Sequence, residues 1–208
     1  MKICCHYCRS AFSNCYIVGS ETEAETEKPR SAIIIDPGEM DLRILKFIED
    51  NEYALNGIFI THDHPANIGG LQTVMRIYNT EIYAINPTIK EYRTTLVRDG
   101  DTVSVGSFTV EVILIPGHSA DSAVFKIDRL LFTGDALSAG LIGSTASSYA
   151  AATQVSALRS KIFSLPGDFA VLPSSGPPTT LKAEQRFNWG ITSFEEQKKR
   201  RRSFKIDL

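Results

Sequence analysis

Apolar residues gather along the chain in short runs whose length and β-branched content predict strands. The run from Asn14 to Gly19 is followed by Ser31 to Asp36, and Gly57 to Thr61 forms another short, strongly apolar run. Further strands are predicted at Glu81–Ile85, Thr102–Val105, Phe108–Ile115, Ser122–Ile127, Leu130–Phe132 and Phe169–Leu172.

Other apolar residues recur at the spacing of helices. Asp41 opens a helix in which Ile44, Phe47 and Ile48 fall on one face. The remaining predicted helices are one that carries Ile68, Leu71, Met75 and Tyr78, then Ala150–Phe163 and Leu181–Phe187. Strands interleaved with helices in this order predict an α/β fold in which helices cover layers of sheet.

The composition fits one domain with a substantial core, because 43% of the 208 residues are hydrophobic. We expect a single domain over residues 1–208, with a basic C-terminal tail at 190–208. The formal net charge of −2 gives no general attraction to nucleic acid or to an anionic membrane. No apolar run reaches the roughly 18 residues of a membrane span, and Met1 to Ser10 lacks the apolar core of a signal peptide. We therefore expect a cytoplasmic location.

Two charged segments are best interpreted as solvated surface. Glu21 to Pro29 is acidic and lies between two predicted strands, which is typical of a hairpin tip. Lys198 to Arg202 are five consecutive basic residues. They can attract nucleic acid, or form the solvated end of a helix balanced by Glu195 and Glu196. We favour the solvated helix end and do not expect nucleic acid as a partner.

The four cysteines, Cys4, Cys5, Cys8 and Cys15, all lie near the N-terminus. Without a secretory signal they are expected to be reduced thiols. Together with His6 they can be interpreted as a metal or cluster site, but no second pair elsewhere completes four ligands. We expect small side chains at the start of a strand, and a His6 without partner ligands.

Three of the four histidines follow apolar strands directly, in turns that also contain Gly, Pro or Asp. His62 and His64 come after the strand that ends at Thr61, and residues two apart in an extended segment project the same way. His118 lies in a Pro-Gly-His-Ser turn, and Asp135 follows another strand. Three imidazoles and a carboxylate suit one divalent ion, Zn²⁺ first, with Fe²⁺, Mn²⁺ or Ni²⁺ as alternatives.

These residues stand in a series of motifs that resembles the metallo-β-lactamase superfamily, and most nearly its small glyoxalase II-like hydrolases. In chain order the motifs are Ile35-Asp36-Pro37-Gly38, Thr61–Gly70 (similar to T-H-x-H-x-D-H-x-G-G), Pro116-Gly117-His118-Ser119, Phe132-Thr133-Gly134-Asp135 and Gly176-Pro177-Pro178-Thr179-Thr180. The resemblance runs from Asn14 to about Asn188. It implies a four-layer α/β/β/α sandwich with the site at one edge of the sheets.

The sequence departs from this pattern at the second metal site. The family's two-metal version has Asp and His where this chain has Ala66 and Asn67, and His where it has Ser175. All three replaced side chains serve the second metal in the family. The first-site residues are retained, as is Asp135, which bridges the two metals in the family. The pattern of loss predicts a mononuclear site.

The resemblance implies a hydrolase that attacks a small ester, thioester or amide with a metal-bound hydroxide. In this hypothesis His62, His64 and His118 hold the ion, and Asp135 completes the site or orients its water. Asp63 is a candidate acid–base group, although it is expected to point away from the metal, and we favour a role in holding the loop. The alternative is a catalytically weak or inactive metal-binding or sensory module with a degenerate site.

Three further departures bear on the substrate. The Ile-Gly-Arg element of related hydrolases is here Ile142-Gly143-Ser144, which removes a candidate anchor for anionic substrates or for loop structure. Glutathione thiolesterases carry a helical C-terminal domain, and this chain ends before such a domain, so a glutathione thioester is not predicted. A nuclease role, suggested by the basic tail, would need an extra domain and the two-metal ligands. We therefore expect a small-molecule substrate.

Overall fold

Two six-stranded β-sheets form the centre of the molecule. The computed structural model describes residues 1–21, 29–194 and 196, so the predicted acidic tip at 22–28 and the basic run at 198–202 lie outside the described residues. The first sheet begins with β1 (Lys2–Cys8), β2 (Ser13–Gly19), β3 (Arg30–Ile35), β4 (Tyr53–Phe59) and β5 (Glu81–Ala84), side by side in that order. A small hairpin of β6 (Thr88–Ile89) and β7 (Tyr92–Arg93) follows, and β8 (Thr95–Leu96) completes the sheet beside β5.

The second sheet is made by the second half of the chain, and each strand lies beside its predecessor. Its strands are β9 (Thr102–Val105), β10 (Phe108–Leu114), β11 (Ala123–Ile127), β12 (Leu130–Gly134), β13 (Ala170–Pro173) and β14 (Thr179–Thr180). All the predicted strands are confirmed, within one to three residues at their ends apart from the earlier start of β4. The short strands β6, β7, β8 and β14 were not predicted, because two residues are too few to show a period.

The helices lie outside the two sheets. They are α1 (Leu42–Asp50), α2 (Pro65–Ile68), α3 (Leu71–Tyr78), α4 (Ser148–Ala157) and α5 (Leu181–Phe187), with a π-helical turn at Leu158–Ile162 directly after α4. The side chain of Asp41 accepts hydrogen bonds from the first free N–H groups of α1, which fixes where that helix begins. The helix predicted at 150–163 consists of α4 followed directly by the π-helical turn.

Alternation along the central strands produces three separate cores. In β2, Tyr16 and Val18 face the core between the sheets, whereas Cys15 and Ile17 face the layer of α1 and α3. A third core packs α4, the π-helical turn and α5 against the second sheet through residues such as Leu158. The order of layers is thus helix, sheet, sheet, helix, which confirms the predicted α/β/β/α sandwich.

The predicted helix that carries Ile68 to Tyr78 is divided into α2 and α3 at Gly69 and Gly70. These glycines pack against the backbone after β3: a Cβ on Gly69 would lie 2.3 Å from the carbonyl oxygen of Gly38. The helix is divided here because the two glycines must lie close to the backbone of the loop after β3. It keeps the turn at 61–70 pressed against the end of β3.

Parallel strand pairs bring several loops to one edge of the sandwich. In the first sheet β3, β4 and β5 pair in parallel, and in the second β12 and β13 do so. The loops that follow β4, β12 and β13 therefore begin at the carboxyl ends of parallel strands, where sites tend to lie in sheets of this kind. Asn14 joins the two sheets there, because its side chain donates to the carbonyl oxygens of Pro173 (2.9 Å) and Gly176 (2.7 Å).

Candidate metal centre

His62, His118 and Asp135 come together at this edge from three different loops. His62 follows β4, His118 follows β10, and Asp135 follows β12. Nε2 of His62 lies 3.6 Å from Oδ2 of Asp135, and Nε2 of His118 lies 3.7 Å from the same oxygen. These separations are too long for hydrogen bonds. They are close to the roughly 3.3–3.6 Å that separates tetrahedral ligands about 2.0–2.2 Å from a zinc ion.

His62 is almost completely buried, and one of its ring nitrogens has a partner. Nδ1 lies 3.1 Å from Oγ1 of Thr61, whose hydroxyl proton is donated to Asp36. The Thr61 oxygen therefore accepts from Nδ1–H, which leaves Nε2 as the nitrogen with a free lone pair. This buried Nε2 has no hydrogen-bond partner within the protein.

Burial also sets the charge of His62. It lowers the pKa of this imidazole to about 4, and the nearby Asp135 carboxylate opposes that shift only in part. The ring is therefore neutral near neutral pH. A neutral imidazole with an unpaired lone pair, aimed at a carboxylate, is the form that binds a metal ion. The unpartnered Nε2 of the neutral His62 ring shows that this group of residues fits a divalent ion.

His118 is held in the corresponding tautomer. Its Nδ1 donates to the carbonyl oxygen of Ser144, 2.8 Å away, so Nε2 is the nitrogen that faces Asp135. Gly143 makes this approach possible: a Cβ at that position would lie 2.1 Å from the carbonyl oxygen of Asp135 and 3.1 Å from Nδ1 of His118. Hydrogen bonds of this kind orient metal-binding imidazoles in general.

The buried side chain of Asp36 is hydrogen-bonded to the loop that carries His62. It has a left-handed backbone, with φ of 51°, and is 1% exposed. Its carboxylate accepts from the backbone N–H and hydroxyl of Thr61 and from the hydroxyl of Ser174. Burial raises the pKa of Asp36 to about 6 despite these hydrogen bonds.

His64 and Asp63 lie at the opening of the site. The His64 ring is exposed and stacks on His62 with 5.6 Å between centroids, and its centroid is 6.3 Å from that of His118. Among the described residues, the ligand atoms of His62, His118 and Asp135 all lie within 4.8 Å of one another, and His64 is not part of this group. The side chain of Asp63 is exposed, and its backbone N–H donates to Oδ2 of Asp121 at 2.8 Å.

Asp121 was missed by the sequence analysis. It also accepts from the side chain of Asn86 at 2.7 Å and so ties the turn at 62–64 to the loop after β5. No motif marks it, because its partners are a backbone N–H and an amide from distant loops. The carbonyl of Ser144 was missed for the same reason, since a backbone group leaves no signal in the side-chain pattern.

The comparisons with known proteins agree with this fold. The family model of the metallo-β-lactamase superfamily matches residues 10–207. The chain belongs to the metallo-β-lactamase superfamily. Members of this superfamily bind divalent metal ions, and the cluster of His62, His118 and Asp135 is a group that can hold one.

The chain is similar to curated relatives and to a solved structure. A hydroxyacylglutathione hydrolase of Francisella tularensis is 33% identical over 146 residues, which cover 69% of this chain and 58% of that protein, less than two thirds of its length. An uncharacterised protein of Mycobacterium bovis is 30% identical over 212 residues, covering 84% of this chain and 91% of that protein. The crystal structure of ETHE1 from Myxococcus xanthus matches with a TM-score of 0.80 and 24% identity, covering 93% of this chain and 85% of that one, and shows the shared fold.

The three positions that the sequence analysis interpreted as lost second-metal ligands make other contacts here. The Ala66 carbonyl oxygen accepts from the hydroxyl of Ser13 at 2.7 Å. Asn67 is 1% exposed, and its amide donates to Thr61 (3.3 Å) and Ser174 (3.1 Å). Ser175 donates its hydroxyl proton to Oδ1 of Asp135 at 2.9 Å.

A second histidine–carboxylate cluster shares no residue with this one. His6, which was expected to lack partner ligands, has Nε2 3.2 Å from Oε1 of Glu39 and 3.6 Å from Oδ2 of Asp41. The expectation was wrong because both partners come from the loop before α1, far along the chain. Burial alone would raise the pKa of Glu39, but hydrogen bonds from Ser10 and His6 outweigh it and bring this pKa below its ordinary value.

The cysteines belong to neither cluster among the described residues. Cys8 and Cys15 are buried and Cys4 half-buried, and all four described cysteines are free thiols. The Cys15 thiol is hydrogen-bonded to the Cys8 thiol and is buried away from water, and both effects raise the pKa of Cys15. Within the described part of the chain, every helix is too short or too polar to cross a lipid bilayer.

Proposed function

We propose that the protein is a metal-dependent hydrolase of a small ester, thioester or amide, with one divalent ion at the site of His62, His118 and Asp135. The observation that carries this proposal is the buried, unpartnered Nε2 of His62, which faces Asp135 together with Nε2 of His118. An unpaired buried nitrogen is costly in a folded protein, and a bound ion satisfies it.

The chain's own residues have distinct tasks in this proposal. Thr61 and Ser144 hold His62 and His118 with Nε2 toward Asp135, and Asp135 supplies a carboxylate ligand. A bound divalent ion acts as a Lewis acid and lowers the pKa of its water to near neutrality. Asp135 orients the attacking group, and exposed Asp63 is the remaining candidate for proton transfer.

The proposal includes a single ion, because Ala66, Asn67 and Ser175 offer no imidazole or carboxylate. His64 completes a three-histidine set only if its exposed ring turns toward the ion, and exposed side chains change rotamer within nanoseconds. The substrate class is supported by the 33% identity to a hydroxyacylglutathione hydrolase, which is named for a thioester. The thioester is therefore the first class to test.

The test combines elemental analysis of the purified protein with a hydrolysis screen on generic thioesters, esters, amides and phosphodiesters. We expect about one ion per chain and turnover of a carbonyl substrate that chelation abolishes and metal restores. Asp63→Asn measures the proton-transfer role and Asp135→Asn the role of the ligand carboxylate. Two ions per chain in the cleft contradict the mononuclear proposal. Bound metal without turnover on any substrate supports the degenerate binding module instead.

A second candidate function rests on the position of His64. Two imidazoles and one carboxylate already converge without it, and such a set with open positions is typical of Fe²⁺ sites that react with oxygen. Iron as the bound metal, with substrate-dependent oxygen consumption and no hydrolysis, would favour this oxidative function. Zinc with hydrolysis would exclude it.

A further inference from the structure

The hydroxyl of Ser175 occupies one oxygen of the Asp135 carboxylate. It donates to Oδ1 at 2.9 Å, while Oδ2 faces Nε2 of both His62 and His118. In the two-metal pattern that the sequence resembles, this carboxylate bridges two ions. Here Oδ1 accepts the Ser175 hydroxyl proton, and Oδ2 is the oxygen that faces the two imidazoles.

Asn67 supports the other side of the site. Its amide donates to Oγ of Ser174 and Oγ1 of Thr61. Both hydroxyls donate their protons to Oδ2 of Asp36, at 2.7 Å each, so both accept from Asn67. Oγ1 of Thr61 is also the acceptor for Nδ1 of His62. Asn67 thus contacts the oxygen that accepts from Nδ1 of His62, and its amide nitrogen lies 3.5 Å from that Nδ1.

We propose, on the basis of the mononuclear function above, that Asn67 and Ser175 are positioning residues that replace the second metal. Each stands at a position that supplies a second-metal ligand in two-metal relatives, and each supports one first-metal ligand in this chain. Asn67 supports His62 through Thr61, and Ser175 supports Asp135 directly. The loss of the second ion is thereby compensated by hydrogen bonds that prepare the remaining site for one ion.

The two residues differ in how cleanly they can be tested. Ser175 is exposed, so its truncation creates no internal cavity. Asn67 is 1% exposed, and its removal leaves two buried hydroxyls without their donor. Ser175 therefore gives the primary test, and Asn67 gives a supporting one.

The primary test measures Co²⁺ and Zn²⁺ affinity by competition with a chelator, together with the visible absorption of the Co²⁺ protein. We expect Ser175→Ala to bind metal about 10–100-fold more weakly, the usual effect of removing a partner that orients a ligand. Its Co²⁺ spectrum should change, because Asp135 becomes free to bind through both oxygens. Ser175→Thr keeps the hydroxyl and should restore both properties.

Ser164→Ala is the matched control. Ser164 is also exposed, and its hydroxyl donates to a backbone carbonyl outside the site, so its removal should leave affinity and spectrum unchanged. Asn67→Ala should weaken metal binding in the same direction, and thermal unfolding of the metal-free variant shows whether it is folded. If it is not, the Ser175 variants decide the question.

The outcomes separate this inference from the proposed function. Ser175→Ala with wild-type affinity and an unchanged Co²⁺ spectrum overturns the inference, whether or not the protein hydrolyses a substrate. Weakened binding in Ser175→Ala upholds it, even if the wild-type protein hydrolyses nothing. A wild-type protein that binds no divalent ion overturns both.

Discussion

The described residues contain two clusters of histidine and carboxylate, which differ in how their nitrogens and oxygens are satisfied. In the first, Oδ2 of Asp135 lies 3.6 Å from Nε2 of His62 and 3.7 Å from Nε2 of His118, and the buried Nε2 of His62 has no hydrogen-bond partner within the protein. In the second, Nε2 of His6 is 3.2 Å from Glu39, within hydrogen-bonding distance.

The carboxylates differ in the same way. Glu39 accepts two further hydrogen bonds from Ser10, and Asp41 accepts from the first N–H groups of α1 and from Arg43. Asp135 accepts one, from Ser175, and its other oxygen faces the two imidazoles. Both groups have ligand atoms close enough to hold a metal ion, but the polar atoms of the His6 cluster are paired with one another, whereas Nε2 of His62 is not. Accounting for each polar atom distinguishes them where residue identity does not.

The largest expected difference between the clusters is in metal binding. His118→Ala should weaken Zn²⁺ binding by more than about 100-fold, because a ligand matters at least as much as the groups that orient it. His6→Ala should leave affinity within about twofold, since its neighbours are already paired. Chelator competition on both variants gives the comparison. An equal loss in the two would mean that the His6 cluster also holds metal, and our distinction between them would be wrong.

The second expected difference is in the pH dependence of stability. The pKa of His62 is lowered by burial from 6.5 to about 4, so the unfolded chain binds more protons between these values. The stability that neutral His62 contributes is complete above pH 6.5 and is lost as the pH falls toward 4. This loss amounts to about 2 kcal/mol between pH 7 and pH 5.

Urea unfolding of the metal-free wild type and of His62→Gln at pH 7 and pH 5 measures this contribution. The raised pKa of Asp36 acts with the opposite sign in both proteins, so the difference between them isolates His62. Glu39 and Asp41 have lowered pKa values, and their contributions are lost only at more acidic pH. If the wild type and the variant lose the same free energy of unfolding over this range, His62 does not titrate as its burial requires.

The smallest expected difference concerns two exposed serines that each donate to a carboxylate. Ser10→Ala removes a 2.8 Å hydrogen bond to Glu39 and should lower the free energy of unfolding by about 1 kcal/mol, with metal affinity unchanged. Ser175→Ala should instead change metal affinity, with little effect on the stability of the metal-free protein. Unfolding and chelator competition on the two variants would show whether the clusters differ in function or only in position.

Much of the fold could be predicted from local pattern. The β-branched runs of β2 and β3 and the side-chain spacing in α1 each follow from short stretches of sequence. The break at Gly69 and Gly70 could not be predicted, because it depends on the backbone of Gly38 and Glu39 coming within reach. Likewise, no local period distinguishes α4 from the π-helical turn that follows it.

The residues of the candidate site also divide into those that a local sequence pattern reveals and those that it does not. His62, His118 and Asp135 could be found because each follows an apolar strand within a motif. The position of His64 apart from the described group could not, since two histidines two residues apart were expected to face one ion. The roles of Asn67 and Ser175 were also hidden. Both were interpreted as lost ligands, and the roles proposed above rest on their contacts with Ser174 and Asp135, which the sequence does not reveal.

The side chain of Asn14 has a consequence for how the chain folds. Its amide is hydrogen-bonded to carbonyl groups 159 and 162 positions further along the chain. Closing so long a loop is slow, and a chain that is still being synthesised folds from its N-terminal part first. The N-terminal strands therefore cannot satisfy this buried amide until the turn after β13 has been made. Because the same turn carries Ser174 and Ser175, we expect the edge that gathers His62, His118 and Asp135 to form late in folding.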